Sequence, residues 1–155
     1  MLIPCRKARS GTEVISSIDG IVVNTREQNE GKTDYELFIQ PKEGSVWTLA
    51  YDHLVNVKVK KGDSVKAGDL LGNPASQNNG SYRFELQVNK DSDTTTHVCP
   101  STLVASSVKE KLLGELKTML QSWESQTGVE LYDVAAQNPV GCIKTTLSPA
   151  EAEGR

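Results

Sequence analysis

The chain has 155 residues, of which 37% are hydrophobic and 24% are charged, the balance of an ordinary globular protein. Its net charge is −3 and its 17 lysine and arginine residues are scattered, which argues against binding to nucleic acid or to an anionic membrane. No stretch approaches the roughly 20 apolar residues that span a bilayer. The short apolar start of the chain is too brief for a signal peptide, and we expect none in this sequence.

Short strands separated by turns are predicted for residues 14–88. Asp19-Gly20 lies between the apolar residues 14–15 and 21–23, and this dipeptide favours a tight hairpin. Gly62-Asp63 and Gly68-Asp69 indicate two further turns. Apolar and polar residues alternate with a period of two, which is typical of half-buried strands, in residues 35–40, 55–60 and 82–88. The pattern predicts an antiparallel β domain over residues 11–88, preceded by an N-terminal arm over residues 1–10.

After this domain the sequence predicts a linker and a helical appendage over residues 89–147, then a flexible tail over residues 148–155. Within the appendage, residues 106–125 carry apolar side chains at spacings of three and four, as an amphipathic helix does. Gly128 is a plausible stop signal for that helix. The apolar stripe either packs onto the β core or binds a partner.

Two segments resemble the lysostaphin-type (LytM-like) zinc metallopeptidases, which have the duplicated-hybrid-motif β fold. Residues 11–23, GTEVISSIDGIVV, are similar to the opening of that family's domain. Residues 48–54, TLAYDHL, and then 57–72, VKVKKGDSVKAGDLLG, are similar to its central motif. The resemblance implies an antiparallel β-sandwich or barrel-sandwich hybrid. The second half of the central motif also occurs in lipoyl and biotinyl carriers, but Lys42, the nearest candidate for modification, lacks the neighbours that those carriers have.

In the family, two histidines and one aspartate hold a zinc ion, and two further histidines assist the bound water. The resemblance places His53 and Ser81 at the two helper positions, so that His53 remains as a helper. It places Arg83 at one ligand position, and the nearest ungapped match places Met1 and Cys5 at the other two. Arginine cannot bind zinc, because its guanidinium stays protonated and offers only donors.

The resemblance therefore predicts a LytM-like domain with a degenerate metal site and no cofactor. Such a domain would bind a cell-wall peptide or regulate a wall hydrolase, in a cleft formed by Tyr51, His53, Ser81 and Arg83. Arg83 would bind a peptide carboxylate or else pair with a nearby acid such as Asp52. The alternative function is an active zinc metalloendopeptidase with rearranged or truncated ligands.

Another alternative for the metal is a relocated site formed by Cys5, His53 and His97. Because the family is mostly extracytoplasmic, we expect a secreted or periplasmic location and a disulfide between Cys99 and Cys142, with inert buried thiols as the other interpretation.

Overall fold

A computed structural model describes residues 11–28, 33–77, 80–90, 97–98 and 103–128. All of the strands belong to one compact unit that ends at Val98, and the helix belongs to a second unit. The strands share an antiparallel arrangement and are β1 (Val14–Ile15), β2 (Gly20–Gln28), β3 (Asp34–Gln40), β4 (Trp47–Val55), β5 (Ser64–Val65), β6 (Leu70–Ser76), β7 (Tyr82–Arg83), β8 (Glu85–Lys90) and β9 (His97–Val98).

Within the described residues, these strands form a single sheet of nine strands in the order β1-β6-β4-β3-β2-β5. β7 pairs with β6, while β8 pairs with both β4 and β9. The predicted all-β fold is confirmed.

The hairpin predicted at Asp19-Gly20 is wrong, because β1 pairs with β6, and β2 pairs with β3 and β5. Gly20 is needed for a different reason. A Cβ at this position would approach the Ile39 side chain to 2.9 Å and would also collide with the carbonyl oxygen of Gln40. The glycine therefore permits close approach of β2 and β3.

The two predicted turns at Gly62-Asp63 and Gly68-Asp69 are confirmed, and they are built alike. Gly62 and Gly68 have φ angles of 93° and 95°, which glycine adopts without steric cost. The side chain of Asp63 accepts a hydrogen bond of 2.9 Å from the backbone N–H of Lys60. Asp69 accepts the equivalent bond of 2.8 Å at the second turn.

The strand predicted over residues 55–60 is wrong beyond Val55, where β4 ends. Residues 57 and 59 nevertheless pack against the core, so the alternation reflects burial of an extended segment rather than pairing in the sheet. β6, which occupies the sheet position next to β4, was not predicted. Its Gly72 and Pro74 obscure the pattern of a strand.

The hydrophobic core lies on one face of the sheet. It is formed by apolar side chains that are at most 9% exposed, namely Val14, Val22, Leu37, Ile39, Leu49, Tyr51, Leu54, Val65, Leu71 and Val88. Because side chains alternate along a strand, the residues next to these core positions on β3, β4 and β8 lie on the opposite face.

In the second unit, α1 (Ser106–Thr127) confirms the predicted helix and extends it by two residues. Gly128 adopts a left-handed conformation with φ 67° and donates its N–H to the Glu124 carbonyl oxygen at 2.8 Å, which ends the helix as predicted. Along the stripe, Leu120 is buried, whereas Val108 and Met119 are 50% and 38% exposed. Packing of this stripe onto the β core stays a prediction.

None of the helices among the described residues is long and apolar enough to cross a membrane. Cys5, Cys99 and Cys142 lie outside the described residues, so the disulfide stays a prediction. The domain boundaries proposed from the sequence also stay predictions, and both of the terminal segments, 1–10 and 148–155, lie outside the described part of the chain.

Candidate functional site: a polar cluster opposite the core

Charged and amide side chains meet on the face of the sheet opposite the hydrophobic core. Cross-strand register places Arg26 opposite Glu36, Gln28 opposite Asp34, and Asp52 opposite Glu85. Together with His53 and Arg83, which contact them, these six residues form what we call the polar cluster. Its members are Arg26, Gln28, Asp34, Glu36, Asp52, His53, Arg83 and Glu85.

His53 owes its position to a β-bulge in β4. Tyr35 pairs with Leu54, and Leu37 pairs with Tyr51, so that two residues of β4 lie opposite one residue of β3. His53 is in the left-handed region, with φ 59°, which is uncommon for a residue other than glycine. A bulge of this kind leaves a residue outside the regular ladder and redirects its side chain. The bulge therefore places the backbone of His53 in contact with the preceding Asp52 side chain.

The imidazole of His53 lies between two carboxylates. Its Nδ1 is 2.8 Å from Oδ2 of Asp34, and its Nε2 is 3.8 Å from Oδ2 of Asp52. The backbone N–H of His53 also donates to Oδ1 of Asp52 at 2.7 Å. The side chain of His53 is only 16% exposed. The ring is thus held in place by Asp34, with Nε2 directed towards Asp52.

Gln28 joins this part of the cluster to the pair on β2 and β3. Its Nε2 donates to Oδ1 of Asp52 at 2.7 Å and lies 3.4 Å from Oε2 of Glu36. Glu36, whose side chain is 5% exposed, forms an ion pair with Arg26. The guanidinium of Arg26 also lies 5.8 Å from the ring centre of Phe38, within range of a cation–π contact.

Arg83 and Glu85 form the other end of the cluster. They make an ion pair in which the side chain of Arg83 is 37% exposed and that of Glu85 is 11% exposed. This partner differs from the Asp52 that the sequence suggested, because β8 places Glu85 itself directly opposite Asp52. The buried Nε of Arg83 has no hydrogen-bond partner among the described residues.

Burial and like charges raise the pKa of two carboxyl groups in the cluster. Burial is the main cause of the raised pKa of Asp52, and Glu85 and Asp34 raise it further against the bond from the His53 backbone. Burial also raises the pKa of Glu36, and Asp52 adds to this effect while Arg26 opposes it. Four carboxylates therefore share two guanidinium groups, one imidazole and one amide.

The structure places Tyr51 on the core face, where it is 1% exposed. Its hydroxyl oxygen accepts a hydrogen bond of 2.8 Å from the backbone N–H of Ser17 and lies 2.6 Å from the Ser17 hydroxyl. Its ring stacks with Phe84 at a centroid separation of 6.2 Å. Tyr51 thus joins β4 to the turn after β1, while His53, two residues later, belongs to the polar cluster.

Ser81 lies next to β7 in the turn that follows β6. Its carbonyl oxygen accepts a hydrogen bond of 2.7 Å from the backbone N–H of Gln77. Of the relocated metal site considered from the sequence, Cys5 and the side chain of His97 lie outside the described residues. The structure therefore brings His53 and Arg83 into one polar cluster. Ser81 lies in the turn just before β7, the strand that contains Arg83.

Two groups of residues in this part of the domain bear on whether it can hold a metal ion. At the position that the sequence comparison assigned to a zinc ligand, Arg83 is paired with Glu85 and has no lone pair to offer. That ligand set does not fit zinc. A second group is Asp34, Asp52 and His53, which each offer one donor atom within 4.8 Å of the others. These three residues already bond to one another and to Gln28.

Five members of the cluster were not identified by sequence reasoning, namely Arg26, Gln28, Asp34, Glu36 and Glu85. A signal for Glu36 and Glu85 was present, because both alternate with core residues on predicted strands. Alternation places such acidic side chains on the face opposite the core. Asp34 gave no comparable signal, since only pairing of β3 with β4 brings it to His53, 19 residues away.

Comparison with known proteins agrees with the fold and with the resemblance. The model of a family described as Peptidase family M23 matches residues 6–96. A mutant catalytic domain of the prophage-encoded M23 protein EnpA from Enterococcus faecalis is 23% identical, over 63% of this chain and 74% of its own, with a TM-score of 0.52. The antimicrobial peptidase lysostaphin from Staphylococcus simulans is 26% identical, also with a TM-score of 0.52.

That likeness to lysostaphin covers 62% of this chain and 40% of the lysostaphin chain, so the protein spans less than half of that relative. No curated protein matches the chain. The resemblance inferred from residues 11–23 and 48–72 is confirmed.

Proposed function

Because the chain belongs to peptidase family M23, we propose that its β domain binds a cell-wall peptide beside the polar cluster and does not cleave it. The observation that carries this proposal is the ion pair between Arg83 and Glu85. A peptidase of this kind needs a metal ion to lower the pKa of the attacking water to near neutrality. A guanidinium cannot do so, since it offers only donors.

Arg83 has the properties of a residue that holds a peptide. About a third of its side chain is exposed, so part of the guanidinium can be reached by a ligand. A carboxylate or carbonyl oxygen of a peptide would accept a hydrogen bond from this guanidinium. His53 and Ser81 would contribute to the same surface, and the buried Tyr51 would support it by anchoring β4. The side chain of Arg26, which is 59% exposed, adds a second positive charge to this face.

The partner that we propose is a component of the cell wall, or a wall hydrolase that the domain regulates. Both are found outside the cytoplasm, and we propose that location for the protein. The basis is the relationship to a family that includes the antimicrobial peptidase lysostaphin.

Titration with peptidoglycan stem peptides tests the proposal. We expect the parent protein to bind, and Arg83→Ala to bind about tenfold to a hundredfold more weakly, as the loss of a charged hydrogen bond of about 1.5–3 kcal/mol predicts. Lys66→Ala is the matched control, because Lys66 lies 4.0 Å from Asp19 in an exposed ion pair elsewhere in the domain. Equal binding by parent and Arg83→Ala, or release of cleaved peptide by the parent, would refute the proposal.

A second candidate function is a zinc metalloendopeptidase with rearranged ligands. The observation that favours it is the proximity of Asp34, Asp52 and His53, whose donors suit a divalent transition metal. Under this alternative, elemental analysis of protein purified without chelator finds about one zinc per chain, and Asp52→Asn or His53→Ala removes it. Cleavage of stem peptides that stops with chelator would then identify the activity.

A further inference from the structure

We propose that Arg83 is a built-in cation that takes the place of the family's metal ion, and that it makes the folded domain independent of divalent metals. The chain belongs to a family in which a metal ion is bound, yet a residue at a ligand position carries a permanent positive charge. Unlike a bound metal ion, this charge is covalently attached to β7 through the arginine side chain.

The carboxylates beside Arg83 require such a charge. Glu85 and Asp52 lie directly opposite each other on β8 and β4, and like charges in that position destabilise a sheet. The side chains of both residues are 11% exposed, so water screens their repulsion poorly. Asp34 brings a third carboxylate to the same place through His53. Arg83 is the guanidinium that pairs with Glu85, and it offsets this concentration of negative charge.

Two consequences follow from this arrangement. With Arg83 in place, a divalent cation is repelled by the guanidinium and cannot use Glu85 as a ligand. Without Arg83, the Glu85 carboxylate is released beside Asp52, and the carboxylates of two facing strands become available to a cation. Arg83 therefore both stabilises the sheet and prevents metal binding. The second role distinguishes it from an ordinary ion pair.

Thermal unfolding of the full chain, with and without zinc(II) or manganese(II), tests both roles. We expect the parent melting temperature to be unchanged by either metal and by chelator. Arg83→Gln should melt at a lower temperature without metal, because a buried carboxylate has lost its partner. Either metal should then raise its melting temperature by on the order of 10 °C at about a hundredfold excess over the dissociation constant.

Three further variants serve as controls. Arg83→Lys retains the charge and should stay insensitive to metal, and Lys66→Gln should behave like the parent. The double variant Arg83→Gln/Glu85→Gln should recover much of the lost stability and bind no metal, which also separates this site from any cysteine that binds zinc. If Arg83→Gln does not fold alone, its refolding with added metal is the readout.

Stoichiometric metal on the parent protein would overturn the proposal. So would an Arg83→Gln protein that gains no stability or refolding from either metal. Neither measurement uses a peptide. Failure of peptide binding would therefore count against the proposed function and leave this inference standing, while metal on the parent protein would count against both.

Discussion

The hydroxyl group of Tyr51 provides a direct test of how the turn after β1 is joined to the sheet. Tyr51→Phe removes one oxygen atom and keeps the ring that packs against Phe84. The lost oxygen accepts the backbone N–H of Ser17 at 2.8 Å and lies 2.6 Å from the Ser17 hydroxyl. Because a donor left without a partner costs about 1–3 kcal/mol, we expect the free energy of unfolding to fall by that amount.

Urea denaturation followed by circular dichroism measures this change as a lower midpoint with an unchanged slope. In a thermal scan, each 1 kcal/mol lowers the melting temperature by about 4–8 °C for a domain of about 60–100 residues. Tyr35→Phe is the control, because the hydroxyl of Tyr35 makes no hydrogen bond with any described residue. A Tyr51→Phe protein within about 0.5 kcal/mol of the parent would show that water replaces the lost partner and that Tyr51 does not anchor the turn.

Gly72→Ala should destabilise the β domain by about 1–3 kcal/mol, because its Cβ would lie 2.8 Å from the Val55 carbonyl oxygen. Gly114→Ala, whose added Cβ would meet no atom within 4 Å, should instead stabilise α1 by about 0.5–1 kcal/mol. Urea denaturation in which Gly72→Ala stabilises the protein or Gly114→Ala destabilises it would contradict this reasoning. Burial raises the pKa of Asp52 in the folded state, so the parent should lose stability relative to Asp52→Asn as pH rises from the ordinary aspartate pKa through the raised one. A difference that is constant across acidic and neutral pH would be evidence against this cause. Asp63→Ala should cost about 0.5–1.5 kcal/mol in urea denaturation, since it removes the acceptor for a turn N–H, and no loss would mean that the turn needs only its glycine.

The features that depend only on residues close together in the chain could be predicted from the sequence. The glycines at positions 62, 68 and 128 marked two turns and a helix end, because each occupies a conformation with positive φ that few other residues adopt. The period-two alternation identified β3, because burial repeats along a strand. The strand predicted over residues 82–88 is divided at Phe84 into β7 and β8. Val57 shows the limit of that signal, because it alternates like a strand residue but its segment does not join the sheet.

The polar cluster depended on pairing between distant segments, which local patterns do not specify. His53 was found through the motif that contains it, yet its partner Asp34 is brought to it only by the register of β3 and β4. Arg83 was predicted to bind a ligand or to pair with Asp52. In the structure its partner is instead Glu85, which is only two residues further along the chain. Tyr51, in the same motif as His53, lies in the core, because side chains alternate before the bulge.

The bulge at Asp52 and His53 separates two kinds of constraint on the chain. Residue 53 lies outside the regular ladder, and the core residues Tyr51 and Leu54 on either side of it pair with β3. The pairing that fixes these core residues therefore does not involve the residue that carries the imidazole. The extra residue lets β4 hold a polar side chain between two carboxylates without interrupting the pairing of its core residues with β3.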